Sequence, residues 1–248
     1  MDLGLAGKHA MVTGAGRGIG AAIAGALGRE GCNVTLVDRD TAGLRSVAAG
    51  LDAMDRQAWI AEADVSDFVE TERVIERAVR EGDGLDILVL NAGITRDRVV
   101  WKMSEAEWDD VMNVNLKGFF NYIHAAAPIF RAQASGKIVT IASINGLRGK
   151  FGQSNYAAAK AGGIALTRSV ARELGRFNVN VNAVAPGMVL TEMAASTPPE
   201  AVEKAKAETV LDRLATTEDV ADAVVFLCSD RSRHVTGTVL QVDGGQYI

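Results

Sequence analysis

Tyr156 and Lys160 stand four residues apart in an Ala-rich run, Asn155-Tyr-Ala-Ala-Ala-Lys160. On a helix that spacing stacks the two side chains on one face, about one turn apart. A free tyrosine titrates near pH 10 and is a poor proton carrier at neutral pH. An ammonium a few Å away favours the phenolate and lowers that value, turning Tyr156 into a general acid/base. Ser143 closes the apolar run Lys137-Ile-Val-Thr-Ile-Ala142, which reads as a buried strand. Its hydroxyl is then placed to meet the oxygen that Tyr156 protonates. Together the three suit moving a proton on or off a carbinol oxygen. Taken alone, so short a pattern reads more readily as two ordinary residues on a helix. The chemistry needs a hydride carrier, so the rest of the chain must supply a site for one.

The beginning of the chain has the features of such a site. Residues 8–13 form a short apolar run that leads into Gly14-Ala-Gly-Arg-Gly-Ile-Gly20. A helical pattern follows to about Glu30, then a second strand-like run, Asn33 to Val37, ends at Asp38. Strand, glycine turn, helix, strand and acid make a dinucleotide-binding unit. The glycines let backbone approach a pyrophosphate, whose charge sits at the positive end of the helix. A tight strand-to-helix turn would use the same glycines; Asp38, 18 residues past Gly20 at a strand end, favours the cofactor.

The elements that must position these groups alternate along the chain. Helical patterns cover roughly 41–54, 67–81, 154–175 and 217–228; strand-like runs cover 58–63, 86–90, 137–142, 178–184 and 239–242. Trp108 to Ala126 reads as one long helix with Asn113 and Asn115 inside it. Asparagine is mildly unfavourable there, which gives Asn115 a claim to a purpose beside a merely solvated or core-bonded side chain. Strand–helix alternation predicts a single-domain α/β fold over 1–248, a Rossmann-type doubly wound parallel sheet with helices on both faces. Residues 188–212 are read as a substrate lid, with a plain surface helix pair as the alternative.

Composition excludes several classes. Lys and Arg number 26 against 31 Asp and Glu, a net charge of −5, which argues against nucleic acid or an anionic membrane as partner. Cys32 and Cys228 suggest neither a disulfide framework nor a metal site, and His9, His124 and His234 show no ligand spacing. No signal-peptide pattern and no run long enough to cross a bilayer is visible, so a cytoplasmic protein is expected.

The landmarks together resemble the short-chain dehydrogenase/reductase family over the whole chain: Thr13-Gly14-x-x-x-Gly18-x-Gly20, Asp64, Asn91-Ala-Gly93, Asn115, Ser143, Tyr156-x-x-x-Lys160 and Pro186-Gly187. One departure is Leu90, where the family usually has a first asparagine before Asn-Ala-Gly; a small packing adjustment is expected. The resemblance implies that Tyr156 is the general acid/base, that Lys160 lowers its pKa and binds the nicotinamide ribose, and that Ser143 holds the substrate oxygen. It implies further that Asn115 holds a water connecting Lys160 to solvent. Gly14, Arg17, Gly18, Ile19 and Gly20 are the expected pyrophosphate cradle. Asp64 and Val65 should meet the adenine, Asn91, Ala92 and Gly93 should run beside ribose and pyrophosphate, and Pro186, Gly187, Val189 and Thr191 should cradle the nicotinamide. Gln153, Met188 and Met193 are the remaining candidates for substrate contact.

Asp38, at the expected ribose position, would accept both hydroxyls and repel a 2′-phosphate, which predicts NAD. Arg17 and Arg39, placed where the family often holds the NADP phosphate, are the contrary signal. Within the family the chain is most similar to 3-oxoacyl-thioester reductases, through 91–97, 152–162, 182–188 and 235–245. Biosynthetic members of that kind use NADPH and need basic residues to meet an acidic acyl carrier protein. Here Arg131 is alone in its loop and Arg176 is the one later candidate, so a 3-hydroxyacyl-CoA is the expected substrate. The alternatives are an NAD-dependent dehydrogenase of free secondary alcohols, diols or polyols, and a non-catalytic NAD-binding partner subunit. The resemblance also implies a homotetramer built on the helices bearing Asn115 and Tyr156, with Gly245–Ile248 near a subunit contact.

Overall fold

The computed structural model describes residues 2–191 and 199–248. Seven strands form one parallel sheet: β1 (His9–Thr13), β2 (Asn33–Asp38), β3 (Ala58–Glu62), β4 (Ile87–Leu90), β5 (Gly136–Ile141), β6 (Val179–Pro186) and β7 (Val239–Val242), in the order β3-β2-β1-β4-β5-β6-β7. Every residue of β1, β4, β5 and β6 is buried, whereas the edge strands β3 and β7 are largely half-exposed. That is the signature of a parallel sheet covered on both faces, and it explains why the inner strands read as unbroken apolar runs.

The faces separate residue by residue. Along β4, Ile87 and Val89 point into one core with Ile23 and Leu27 of α1 (Gly18–Arg29), Leu44 of α2 (Thr41–Asp52) and Val220 and Val224 of the helix Thr217–Cys228. Leu88 and Leu90 point the other way, to Ile75 of α3 (Phe68–Glu81), to Phe119, Tyr122 and Phe130 of α5 (Gly118–Gln133) and to Leu174 of α7 (Ser154–Leu174). Period-two alternation of side chains across a strand produces this division. Each large apolar side chain removed from water in this way contributes about 1.5–3 kcal/mol.

The strand order reverses between β1 and β4, and there the carboxyl ends of the strands diverge to leave a crevice. The single long helix expected from Trp108 is instead α4 (Glu105–Met112), a π-turn (Asn113–Lys117) and α5. It starts before Trp108 because Ser104 and Glu107 form a capping box, each side chain bonding the other's backbone N–H. The strand expected from Asn178 begins one residue later, since Asn178 takes a left-handed φ of 59° as the cap of the preceding turn, and it runs on to Pro186. The short α6 (Asn145–Arg148) follows Ser143, and α8 (Pro199–Ala207) and α9 (Thr217–Cys228) close the chain before β7. Within the expected lid, 192–198 lie outside the described residues. No helix among the described residues is long and apolar enough to cross a membrane.

Candidate active site

A cleft of about 1410 Å³ opens at the carboxyl ends of β1, β2, β4, β5 and β6. Its first half is made mostly of backbone. Gly14 and Gly18 have φ of +64° and +56°, values that glycine adopts without strain. A Cβ on Gly20 would drive into the Gly14 carbonyl, so the turn packs against the helix only because that position is bare. Asn91 braces the same turn, its amide donating to the Thr13 and Gly14 carbonyls at 3.1 and 3.0 Å. Thr13 Oγ1 in turn accepts from the backbone N–H of Asn91 and Ala92 at 3.0 and 3.2 Å.

The helix that begins here is capped differently from its neighbours. Asp40, Asp67, Ser104 and Thr216 each cap the helix that follows with a side-chain oxygen. Arg17, at the N-cap of α1, makes no such bond, and the first turn of α1 holds no acid. The first backbone N–H groups of α1 are therefore left for an anion, beside cleft-lining Gly14, Arg17, Gly18 and Ile19. Asp38 lines the cleft at the end of β2, held by N–H donors from Gly16 (2.9 Å), Arg39 (2.7 Å) and Asp40 (3.1 Å). Arg39 reaches Asp64 at 3.3 Å with its side chain 76% exposed. Bare glycines, an uncapped helix start and a ribose-height carboxylate fit a nicotinamide dinucleotide.

The second half of the cleft is made of side chains. Ser143 and Tyr156 line this half of the cleft together, near enough for the serine hydroxyl to act on the phenol. The backbone N–H of Asn145 donates to Ser143 Oγ at 3.1 Å, which leaves the serine proton free to point at an oxygen in the cleft. Asn145 Nδ2 donates to Gln153 Oε1 at 3.0 Å, and Gln153 Nε2 donates to Asp97 at 2.8 Å. Gln153 is thus spent on this wall, where it fixes the α6 turn beside Ser143.

Lys160 is buried and donates to the Ile141 carbonyl at 2.7 Å, with Nζ 5.6 Å from the centre of the Tyr156 ring. The lowering of the tyrosine's pKa expected from Lys160 is not the dominant effect here. Burial pushes the Tyr156 phenol up to about 12, against a smaller opposing effect of the Ser143 hydroxyl. The surface that Tyr156 keeps faces the cleft. Burial also brings the Lys160 ammonium down to about 7, since it disfavours the charged form.

Two further predicted residues are placed differently from expectation. Asn115 is fully buried in the π-turn and bonds the backbone of Ile94 both ways, Oδ1 accepting from N–H at 2.8 Å and Nδ2 donating to the carbonyl at 2.9 Å. It does not line the cleft, although a Cβ on Gly93 would lie 3.5 Å from both Asn115 Oδ1 and Lys160 Nζ. Gly20 lies beneath the turn as a packing residue and likewise does not reach the cleft. The other predicted residues that are described, Asp64, Val65, Ala92, Pro186, Gly187, Met188, Val189 and Thr191 among them, line it. Met193 lies outside the described residues.

Sequence reasoning missed Asp97, Asn145, Arg148, Lys150, Lys204, Glu208 and Gln246, all on the cleft wall. Arg148 donates to Glu208 at 3.1 Å and to the Gln246 carbonyl at 3.3 Å, and Gln246 donates to Glu208 at 3.0 Å. Those bonds hold the end of α8 over the cleft. Gln246 and Arg148 keep the Glu208 carboxyl below its ordinary range. No group of three or more His, Cys, Asp or Glu among the described residues is placed to hold a metal ion.

The chain is similar to known proteins along nearly its full length. A family model described as Enoyl-(Acyl carrier protein) reductase matches residues 14–246. A 3-oxoacyl-[acyl-carrier-protein] reductase of Staphylococcus aureus is 42% identical over 247 residues, covering 97% of this chain and 98% of the relative. Its namesake in Thermotoga maritima is 40% identical over 244 residues, covering 98% and 99%. Among solved structures, levodione reductase superposes with a TM-score of 0.93 at 34% identity, covering 97% of this chain and 98% of that one. A putative short-chain alcohol dehydrogenase of Sinorhizobium meliloti gives 0.92 at 34%, covering 97% and 96%. With the glycine turn, the Ser143–Tyr156 pair and Lys160 on one cleft, the chain belongs to the short-chain dehydrogenase/reductase family of oxidoreductases.

Proposed function

We propose that this protein interconverts 3-oxoacyl and 3-hydroxyacyl thioesters with NAD(H). The observation that carries the reading is the Ser143–Tyr156 pair, which lines the same cleft as the uncapped start of α1. Bound nicotinamide supplies or accepts the hydride. In reduction, Ser143 orients the ketone oxygen and Tyr156 donates the proton to it. In oxidation, Tyr156 takes the proton from the alcohol. Lys160 sits behind the tyrosine, where it can hold a ribose hydroxyl and add positive charge. Asn115 acts through the Ile94 backbone as a positioning residue, and a water held beside it completes the path from Lys160 to solvent.

Asp38 supports NAD, since its carboxylate lines the cleft at the end of β2, where the ribose is expected, and Arg39 is engaged with Asp64. Coenzyme A as the thiol fits the stretch 131–136, where Arg131 is the one cation, with Arg176 the one later candidate. A second reading, an acyl carrier protein as the thiol carrier with NADPH, is supported by the names of the relatives and by one local observation. Arg131 and Arg176, far apart in sequence, both stack on Phe177, at 5.0 and 4.8 Å from its ring centre. The two structural neighbours, a levodione reductase and a putative alcohol dehydrogenase, keep a free carbonyl or alcohol as the alternative substrate. A homotetramer belongs to the same reading, supported by exposed Val210, Leu211 and Ile248 near the C-terminus. A monomer by light scattering would refute that part.

The test is a set of parallel assays with NAD(H) and NADP(H), using 3-hydroxyacyl-CoA and 3-oxoacyl-CoA, the acyl-carrier-protein thioester and simple secondary alcohols. NAD-linked turnover of the CoA thioesters, abolished by Tyr156→Phe, is the expected result. NADP-linked turnover of the carrier-protein thioester alone would establish the second reading. Turnover of free alcohols alone would discard the thioester.

A further inference from the structure

On the β5–β6 side of the cleft, away from Asp38 and Asp64, three cations gather at the mouth: Arg148 at the end of α6, Lys150 just after it, and Lys204 on α8. Glu208 is the carboxylate that two of them meet. Arg148 bonds Glu208, and the Lys204 ammonium acts on the same carboxyl. Among the described residues neither Lys150 nor Lys204 has an ion pair, whereas the other acid of this wall, Asp97, is occupied by Gln153. Three cations against Glu208 and Asp97 leave a local surplus of about one positive charge among the described residues lining this mouth, in a chain whose net charge is −5. A surplus of that sign at a cleft mouth attracts an anion. The phosphates of the dinucleotide do not explain it, because the start of α1 that suits them stands on the β1 side of the crevice. Phe151, 84% exposed, continues the same rim and gives an apolar surface next to the cations.

We propose that Arg148, Lys150 and Lys204 form an anion subsite for the phosphate that terminates a pantetheine arm, holding the substrate by its far end while the 3-carbon sits at Tyr156. The inference rests on the thioester reading above and names the part of the substrate that this chain recognises. Two sources carry that phosphate, coenzyme A and free 4′-phosphopantetheine, and an N-acetylcysteamine thioester carries none.

The experiment measures kcat/KM of the native enzyme and of the Lys150→Ala/Lys204→Ala double variant for 3-oxoacyl thioesters of all three thiols. Arg73→Ala/Arg80→Ala, on α3, is the charge-matched control. The expected result is a fall of tenfold or more, through KM, in kcat/KM for the phosphate-bearing thioesters relative to the N-acetylcysteamine thioester. The control pair should leave that ratio in place. A fall on both charged thioesters assigns the shared phosphate; a fall on the CoA thioester alone assigns the adenosine diphosphate end. An unchanged ratio overturns the subsite, as does a rise in KM for the dinucleotide in place of the thioester. Native enzyme that turns over none of the three thioesters overturns the thioester reading itself, and so separates that failure from this one.

Discussion

The two halves of the cleft are built from different materials. At the dinucleotide end the recognition elements are backbone: bare α-carbons at Gly14 and Gly18, and helix N–H groups that Arg17 leaves uncapped. At the other end they are side chains, Ser143, Gln153, Tyr156 and Arg148, set on the turn after β5, on α6 and α7 and on the loop between them, with Arg148 latched by Glu208 and Gln246. A ligand common to a whole family can be met by groups that every residue type carries. A ligand that differs between members has to be met by groups that substitution can change. The glycine half therefore predicts the cofactor class and the side-chain half the substrate.

Breaking the chemistry on the side-chain half should give the largest effect. Tyr156→Phe removes the proton carrier and nothing of the glycine half, so kcat should fall by roughly 10²–10⁴-fold while the dinucleotide still binds. Steady-state kinetics beside a titration of cofactor fluorescence checks both. Loss of binding together with loss of turnover would contradict the division.

The next effect is on the first half. Asp38→Ala removes the carboxylate opposed to a 2′-phosphate and should shift the ratio of kcat/KM for NAD over NADP by about tenfold or more, a change of about 1.4 kcal/mol. An unchanged ratio would mean that Arg17 and Arg39 decide the cofactor.

A smaller effect sharpens the role of the uncapped helix. Arg17 has extended backbone, φ −162°, which suits a capping acid. Arg17→Asp should cap α1 and stabilise the protein by about 1 kcal/mol, roughly 2–4 °C in Tm. The same carboxylate should weaken dinucleotide binding several-fold by occupying the anion's place. Stabilisation without loss of affinity would show that the pyrophosphate does not sit there.

The smallest effect reads Lys160. Its ammonium, at 10.5 when unpaired, titrates near 7 in the fold, so between those values the unfolded chain binds more protons and stability rises with pH. The penalty of burying the charge is present in full below about pH 7 and is relieved toward pH 10.5. Relative to the native protein, Lys160→Met should therefore look more stable at pH 6 than at pH 9.5 in thermal melts. A difference that does not change with pH would show that the lysine keeps its charge through neutrality.

Much of the fold was legible because its causes are local. The apolar runs of β1, β4, β5 and β6 are unbroken since both faces of each strand are covered; Ser104 with Glu107 also marks a helix start in plain sequence, a signal that the expected start at Trp108 leaves out. The glycine turn and Tyr156-x-x-x-Lys160 were legible for the same reason. What stayed hidden depends on partners far along the chain or on backbone. Lys160 bonds the carbonyl of Ile141, and a carbonyl has no residue type to read. Asn115 meets Ile94, 21 residues earlier, and Arg148 meets Gln246, 98 residues later. The rise of the tyrosine's pKa follows from enclosure, which spacing on a helix does not report.

The bonds of Gln246 have a practical consequence. It accepts from the Met188 N–H at 3.1 Å, donates to Glu208 and offers its carbonyl to Arg148, so the penultimate stretch of the chain is part of the cleft wall. Leu3, by contrast, pairs with Asp230 near the amino ends of the strands. A purification tag fused after Ile248 would be anchored beside the substrate mouth, whereas one fused ahead of Asp2 would hang from the opposite side of the sheet. Kinetic work on this protein is best done with the handle at the beginning of the chain.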